Sequence, residues 1–122
     1  RKPGEIVTFK FKGSDLRIYD LVGPDCGQVI VTVDGKPAGL RRRFDAYCTY
    51  YRLQTMAIAS GLDPESVHTV KLVLHAGKFD KAAILARRKQ NAKLLEKPLD
   101  PKKFDGGAWY IGSIMLMGEL VP

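Results

Sequence analysis

Apolar and polar residues alternate with period two along most of this chain, and turn-forming residues cut the alternation at short intervals. No other feature limits the available folds as tightly. In Ile6-Val7-Thr8-Phe9-Lys10-Phe11-Lys12, residues Val7, Phe9 and Phe11 share one face and Thr8, Lys10 and Lys12 the other, the pattern of a half-buried strand. Gly13-Ser14-Asp15 reads as a turn before Leu16-Arg17-Ile18-Tyr19 alternates again, predicting a hairpin-like start. The Gly-Pro-Asp-Cys-Gly stretch at 23–27 is a loop leading into an apolar strand at 28–33, and Asp34-Gly35 is a strong two-residue hairpin signal. Residues 47–58 are rich in aromatic and β-branched side chains, which favours strand, with helix a competitor over 53–60. A turn at 61–65 precedes a strand at 68–75 with Val70, Leu72 and Leu74 inward, and 108–117 returns to strand. One segment breaks the pattern: Asp80 is placed to cap a helix running from Ala82 toward Leu95 and ended by Lys97-Pro98. The expected fold class is all-β, an antiparallel β-sandwich or jelly roll with one helical insertion at about residues 80–97.

A length of 122 residues predicts a single domain spanning 1–122. With 45% hydrophobic and 27% charged residues the chain can build a core and lies far from the disordered regime. No apolar run reaches the roughly 18 residues needed to span a bilayer as a helix, so no membrane association is expected. The chain opens on Arg1 without a signal pattern, so it is expected to be a processed product or an excised domain. The net charge of +7 permits attraction to polyanions. Its excess lies in Arg41-Arg42-Arg43 and between residues 78 and 103, and charge runs of this kind are ordinarily solvated faces.

Catalytic constellations fail one by one. The chain has no G-x-S-x-G elbow, H-E-x-x-H, P-loop or G-x-G-x-x-G. Gly13-Ser14-Asp15-Leu16 resembles the GDSL block of serine esterases only with Ser and Asp exchanged, and neither His68 nor His75 has the Asp three residues upstream that such enzymes carry. Cys26 and Cys48 form no CxxC pair and have no histidine-rich partner, so no metal, cofactor or catalytic residue is expected. In an exported domain the two cysteines would pair in a disulfide, and in a cytosolic one both would be buried fillers. His68, opening a strand after a turn, is expected at the surface, and His75 is expected beside a sheet-edge pocket.

Recognition chemistry fares better. Sugar rings stack on aromatic faces while neighbouring polar and charged groups bond their hydroxyls. Two clusters supply both kinds of group: Arg43-Phe44-Asp45-Ala46-Tyr47-Cys48-Thr49-Tyr50-Tyr51-Arg52, and a glycine loop that delivers Trp109 to a strand edge. Tyr47, Tyr50 and Trp109 are the candidate stacking residues, with Arg43, Asp45, Arg52 and His75 orienting hydroxyl or carboxylate groups. Trp109 can equally be a core or interface anchor. No nucleic-acid-binding module is recognisable, so no specific nucleic acid partner is expected.

The segments Gly23-Pro24-Asp25-Cys26-Gly27-Gln28, Val31-Thr32-Val33-Asp34-Gly35, Arg43-Phe44-Asp45-Ala46-Tyr47-Cys48-Thr49-Tyr50, His68-Thr69-Val70 and Phe104-Asp105-Gly106-Gly107-Ala108-Trp109-Tyr110 together resemble the β-sandwich accessory domain attached to bacterial SGNH/GDSL-type hydrolases, over roughly residues 6 to 121. The resemblance implies a jelly-roll module similar to carbohydrate-binding modules, with the esterase active site elsewhere in a parent protein. The expected function is non-catalytic binding of an extracellular or periplasmic polysaccharide, tilted by charge toward acidic glycans, with the parent's catalytic domain as second partner. The alternative is a structural domain that packs on the catalytic domain or self-associates and binds no sugar.

Overall fold

The computed structural model describes residues 4–75 and 77–122, so Arg1 lies outside it. Six strands form an antiparallel, sandwich-like all-β fold: β1 (Ile6–Val22), β2 (Gln28–Val33), β3 (Lys36–Arg42), β4 (Arg52–Ala59), β5 (Val67–His75) and β6 (Tyr110–Val121). The strand order is β3-β2-β5-β1-β4, with β6 on β1. One edge of β1 carries β5 along Ile6–Lys12 and then β4 along Leu16–Val22, while β6 follows the opposite edge from Lys10 to Leu21. Phe11, Leu16 and Ile18 of β1 therefore meet Val29 and Val31 of β2, Met56 and Ile58 of β4, and Val70, Leu72 and Leu74 of β5 in one core, together with Trp109.

The turn expected at Gly13 is instead a bend in a continuous strand. Gly13 pairs with Gly118 across β1 and β6, and the register shifts by one residue just beyond. A Cβ on Gly13 would lie 2.0 Å from the Met117 carbonyl oxygen, and one on Gly118 would lie 1.9 Å from that of Lys12, with φ of 157° and 141° respectively. Two facing glycines let the backbones approach this closely, so the ribbon folds over its own core rather than reversing direction. The Asp34-Gly35 hairpin forms as expected, with both residues at positive φ and β2 paired to β3.

Two other elements differ from their sequence patterns. The strand expected from residue 47 begins only at Arg52, because the Asp45 carboxylate accepts the Tyr47 N–H at 2.9 Å and the Asp45 carbonyl accepts the Cys48 N–H at 3.1 Å. That local turn outcompetes the β preference of the tyrosines. The helix expected from Asp80 to Leu95 is only α1 (Lys81–Leu85), followed by 3₁₀ turns at Lys89–Asn91 and Leu94–Glu96 and by α2 (Pro101–Phe104). Asp80 does cap α1, accepting the Ala83 N–H at 3.0 Å. Asn91 then donates to the carbonyls of Leu85 and Ala46 at 2.9 and 2.8 Å, tying the end of α1 to the turn before β4 instead of letting the helix continue.

This helical segment covers one end of the sandwich with a second small core of Val22, Phe44, Cys48, Ile84, Leu85 and Phe104. Lys81 fastens it, donating to the carbonyl oxygens of Pro24, Phe104 and Gly106 at 2.7, 2.6 and 3.1 Å. Three acceptors match the three protons of an ammonium, although burial still draws this lysine below its ordinary value. The arginine run is likewise not a merely solvated face. Arg41 donates to the Ala38 and Ala57 carbonyls, Arg42 lies 4.7 Å over the Phe79 ring, and Arg43 turns inward. Cys26 and Cys48 are buried and free, so the disulfide alternative is not adopted, and burial pushes the Cys26 thiol up to about 12.

His68 is buried, not at the surface. Its Nε2 meets the Asp63 carbonyl at 2.9 Å and its Nδ1 meets the Asp34 carboxylate at 2.6 Å, tying the β2–β3 turn to the β4–β5 loop. The Asp63 carbonyl first, and then Asp34, raise this imidazole above its ordinary 6.5, while His68 and the Thr69 N–H lower the Asp34 carboxyl below 3.8. Stabilisation from His68 is complete below pH 6.5 and is lost as pH rises through the raised value. The share from Asp34 is complete above pH 3.8 and is lost as pH falls through the lowered one. Urea midpoints compared between the native chain and His68→Gln should differ most between about pH 4 and 6.5 and converge toward pH 9. A constant difference across that range would contradict the pairing.

Candidate functional site

The Gly23–Gly27 loop and the glycine loop before β6 are laced together by backbone bonds: Ala108 N–H to the Asp25 carbonyl and Gly27 N–H to the Ala108 carbonyl, both 2.9 Å. Lacing fixes Asp25 at the junction, where its carboxylate accepts the Tyr51 hydroxyl at 2.8 Å and also the Tyr110 hydroxyl. The two phenol rings meet edge-on, 5.9 Å between centroids. Hydrogen bonding to Asp25 raises both phenols above the ordinary tyrosine value, so both stay neutral donors near neutral pH.

Beside this triad lies an open groove of about 540 Å³ whose lining includes Asp25, Thr49, Tyr50, Tyr51, Lys102 and Lys103. Tyr50 and Tyr51 are 53% and 52% exposed. The short α2 starts at Asp100, which accepts the Lys102 N–H at 3.0 Å, with proline as its first residue, and so sets both lysines on the rim. The groove thus combines aromatic surface with hydroxyl, carboxylate and ammonium groups, enough to stack on a ring and bond its substituents.

The seven residues singled out from sequence fall into three places. Tyr47, Tyr50, Asp45 and Arg52 gather on the surface next to the groove. Nη2 of Arg52 reaches both oxygens of Asp45 at 2.5 and 2.6 Å, and its guanidinium lies 5.5 and 5.9 Å from the Tyr47 and Tyr50 ring centres. Burial works to raise the Asp45 carboxyl, but bonds from Arg52, the Tyr47 N–H and Cys48 outweigh it and hold the group below its ordinary value. Arg52 and Asp45 are committed to each other and brace the tyrosines.

Arg43 and Trp109 are in the interior. Arg43 grips Asp20 through two bonds of 2.6 and 2.7 Å, and the Trp109 indole N–H donates to the same carboxylate at 2.8 Å. Asp20 is fully buried and Trp109 is 2% exposed. Trp109 therefore takes the core position that its sequence context also allowed, and presents no face to a ligand here. His75 stands apart in a separate cleft of about 340 Å³ with Lys78, Asp80 and Gly107, where its Nδ1 accepts the Gly77 N–H at 2.9 Å.

No protein-family model, curated protein or solved structure matches the chain. The likeness to accessory domains of SGNH/GDSL-type hydrolases thus rests on the motifs alone. Among the described residues, no group of three or more His, Cys, Asp and Glu is placed to hold a metal, and no helix is long and apolar enough to cross a membrane. Sequence reading missed Asp25, Tyr51, Lys102 and Lys103 as groove residues. The signal available was a carboxylate at the tip of a Gly-Pro-Asp-Cys-Gly loop, which reads first as turn chemistry.

Proposed function

We propose that this chain is a non-catalytic carbohydrate-binding module that holds a linked SGNH/GDSL-type esterase on an extracellular or periplasmic polysaccharide. The observation that carries the reading is the groove in which Tyr50 and Tyr51, each about half exposed, stand beside Lys102 and Lys103. The tyrosines supply the stacking surface and the two ammonium groups favour uronate or sulfate substituents. Of the earlier candidates, Tyr50 and Tyr47 keep a contact role, while Asp45 and Arg52 position them.

Calorimetry against neutral, uronate and sulfated polysaccharides, at low and high salt, tests this. Binding is expected to survive high salt and to weaken about tenfold or more in Tyr50→Ala, the loss of one stacking contact worth roughly 1.4 kcal/mol. Binding abolished by salt and indifferent to Tyr50 would reduce the groove to charge attraction. A folded domain that binds no glycan would overturn the proposal.

A further inference from the structure

Three strands among the described residues pair on one side only: β3, β4 and β6. Natural sheets guard such edges with charge, proline or a covering group. The edge strand β3 carries Lys36, Pro37, Arg41 and Arg42, and on β4 the Ala57 carbonyl is taken by Arg41. By contrast β6, Tyr-Ile-Gly-Ser-Ile-Met-Leu-Met-Gly-Glu-Leu-Val, has 12 residues with no proline, lysine or arginine and one charge, Glu119. Met115, Met117 and Leu120 are 51%, 69% and 55% exposed. Alongside runs an apolar groove of about 470 Å³ bounded by Val7, Phe9, Leu72, Trp109, Ile111 and Ile114, an opening into the main core.

We infer that β6 pairs antiparallel with β6 of a second copy of this chain, across a two-fold axis at Met115. The strand's own irregularities select that occupant and that register. Pairing of β6 with β1 is irregular in two places: Gly112 is skipped between Ile111 and Ser113, and at the Gly13–Gly118 crossing Ser14 of β1 is skipped just beyond the pair. The two β6 glycines at these places lie symmetrically about Met115. Under the two-fold, Gly112 of each copy faces Gly118 of the other, and the regular stretch 113–117 pairs with itself. Glu119 faces Ile111 and never its own copy, so two chains of charge +7 meet along a strand with no like charges opposed. The contact is isologous and closed, giving a dimer and not a fibre. It is independent of the glycan groove.

Sedimentation equilibrium of the intact chain from about 1 to 300 μM at moderate salt should show a dimer. Met115→Lys, at an exposed site, should leave the circular dichroism and the urea midpoint of the dilute, monomeric chain unchanged while the dimer is lost, because it opposes two ammonium groups on the axis. Under oxidation Met115→Cys should link to itself, since opposed Cα atoms in an antiparallel pair lie about 4.5–5.5 Å apart, whereas Glu119→Cys should not. A monomer at every concentration would overturn the inference and leave the edge to a strand of another protein. A dimer unaffected by Met115→Lys, or equal crosslinking at 115 and 119, would overturn it as well.

Discussion

Asp20→Leu is expected to destabilise the domain by about 3–5 kcal/mol, a large share of the roughly 5–15 kcal/mol that holds a domain of this size together. The cause is what remains behind: the Arg43 guanidinium, only 13% exposed, loses both of its charge-assisted bonds, and the Trp109 N–H loses its acceptor. Arg43→Met strands the opposite charge, since among the described residues the fully buried carboxylate keeps the indole as its remaining side-chain donor, and should cost a similar amount. The double variant Asp20→Leu with Arg43→Met removes both charges together and should be more stable than the sum of the single losses by about 2 kcal/mol or more. Its remaining penalty is the lost Trp109–Asp20 hydrogen bond. Urea unfolding of the three variants measures the coupling. Strictly additive costs would mean that the two charges do not depend on each other.

Gly118→Ala should be the most damaging change of a single methyl group on the chain. It combines a left-handed backbone at φ 141° with a Cβ 1.9 Å from the Lys12 carbonyl oxygen. Backbone strain and overpacking each cost about 1–3 kcal/mol, so a total of about 2–6 kcal/mol is expected. Gly13→Ala strikes the same crossing from the other strand and should behave alike. Once either has forced β1 and β6 apart, the second has less left to disrupt, so the pair should fall short of additivity. Thermal unfolding of the two single variants and the double variant tests this. A loss under about 1 kcal/mol for either would mean that the ribbon tolerates separation at the bend.

The strands were legible because their cause is local: alternation in Phe9, Phe11, Val70, Leu72 and Leu74 dictates which side chains face inward whatever their partners turn out to be. The Asp34-Gly35 turn was legible for the same reason. What failed to show depended on partners distant in sequence. Gly13 reads as a turn until Gly118 is placed opposite, and His68 reads as exposed until Asp34 and the Asp63 carbonyl close on its two nitrogens. Trp109 was divided between stacking and core, and the acceptor that decides it is Asp20, 89 residues away. The groove was half legible. Tyr50 was visible as a candidate, but the loops that bring Asp25, Lys102 and Lys103 beside it are joined by backbone bonds that no local pattern records.

The pairing of β1 with β6 has a consequence for the order of synthesis. Within this domain residues 10–21 are made well before their partners on one edge, 110–121. Until the ribosome has released β6, β1 waits with one flank bare. Contacts between such distant segments also form slowly once both are present, because a long loop must close before any of them is made. A nascent chain paused before residue 110 would therefore display a long β-strand with one edge unpaired, the kind of surface on which incomplete polypeptides aggregate or engage chaperones.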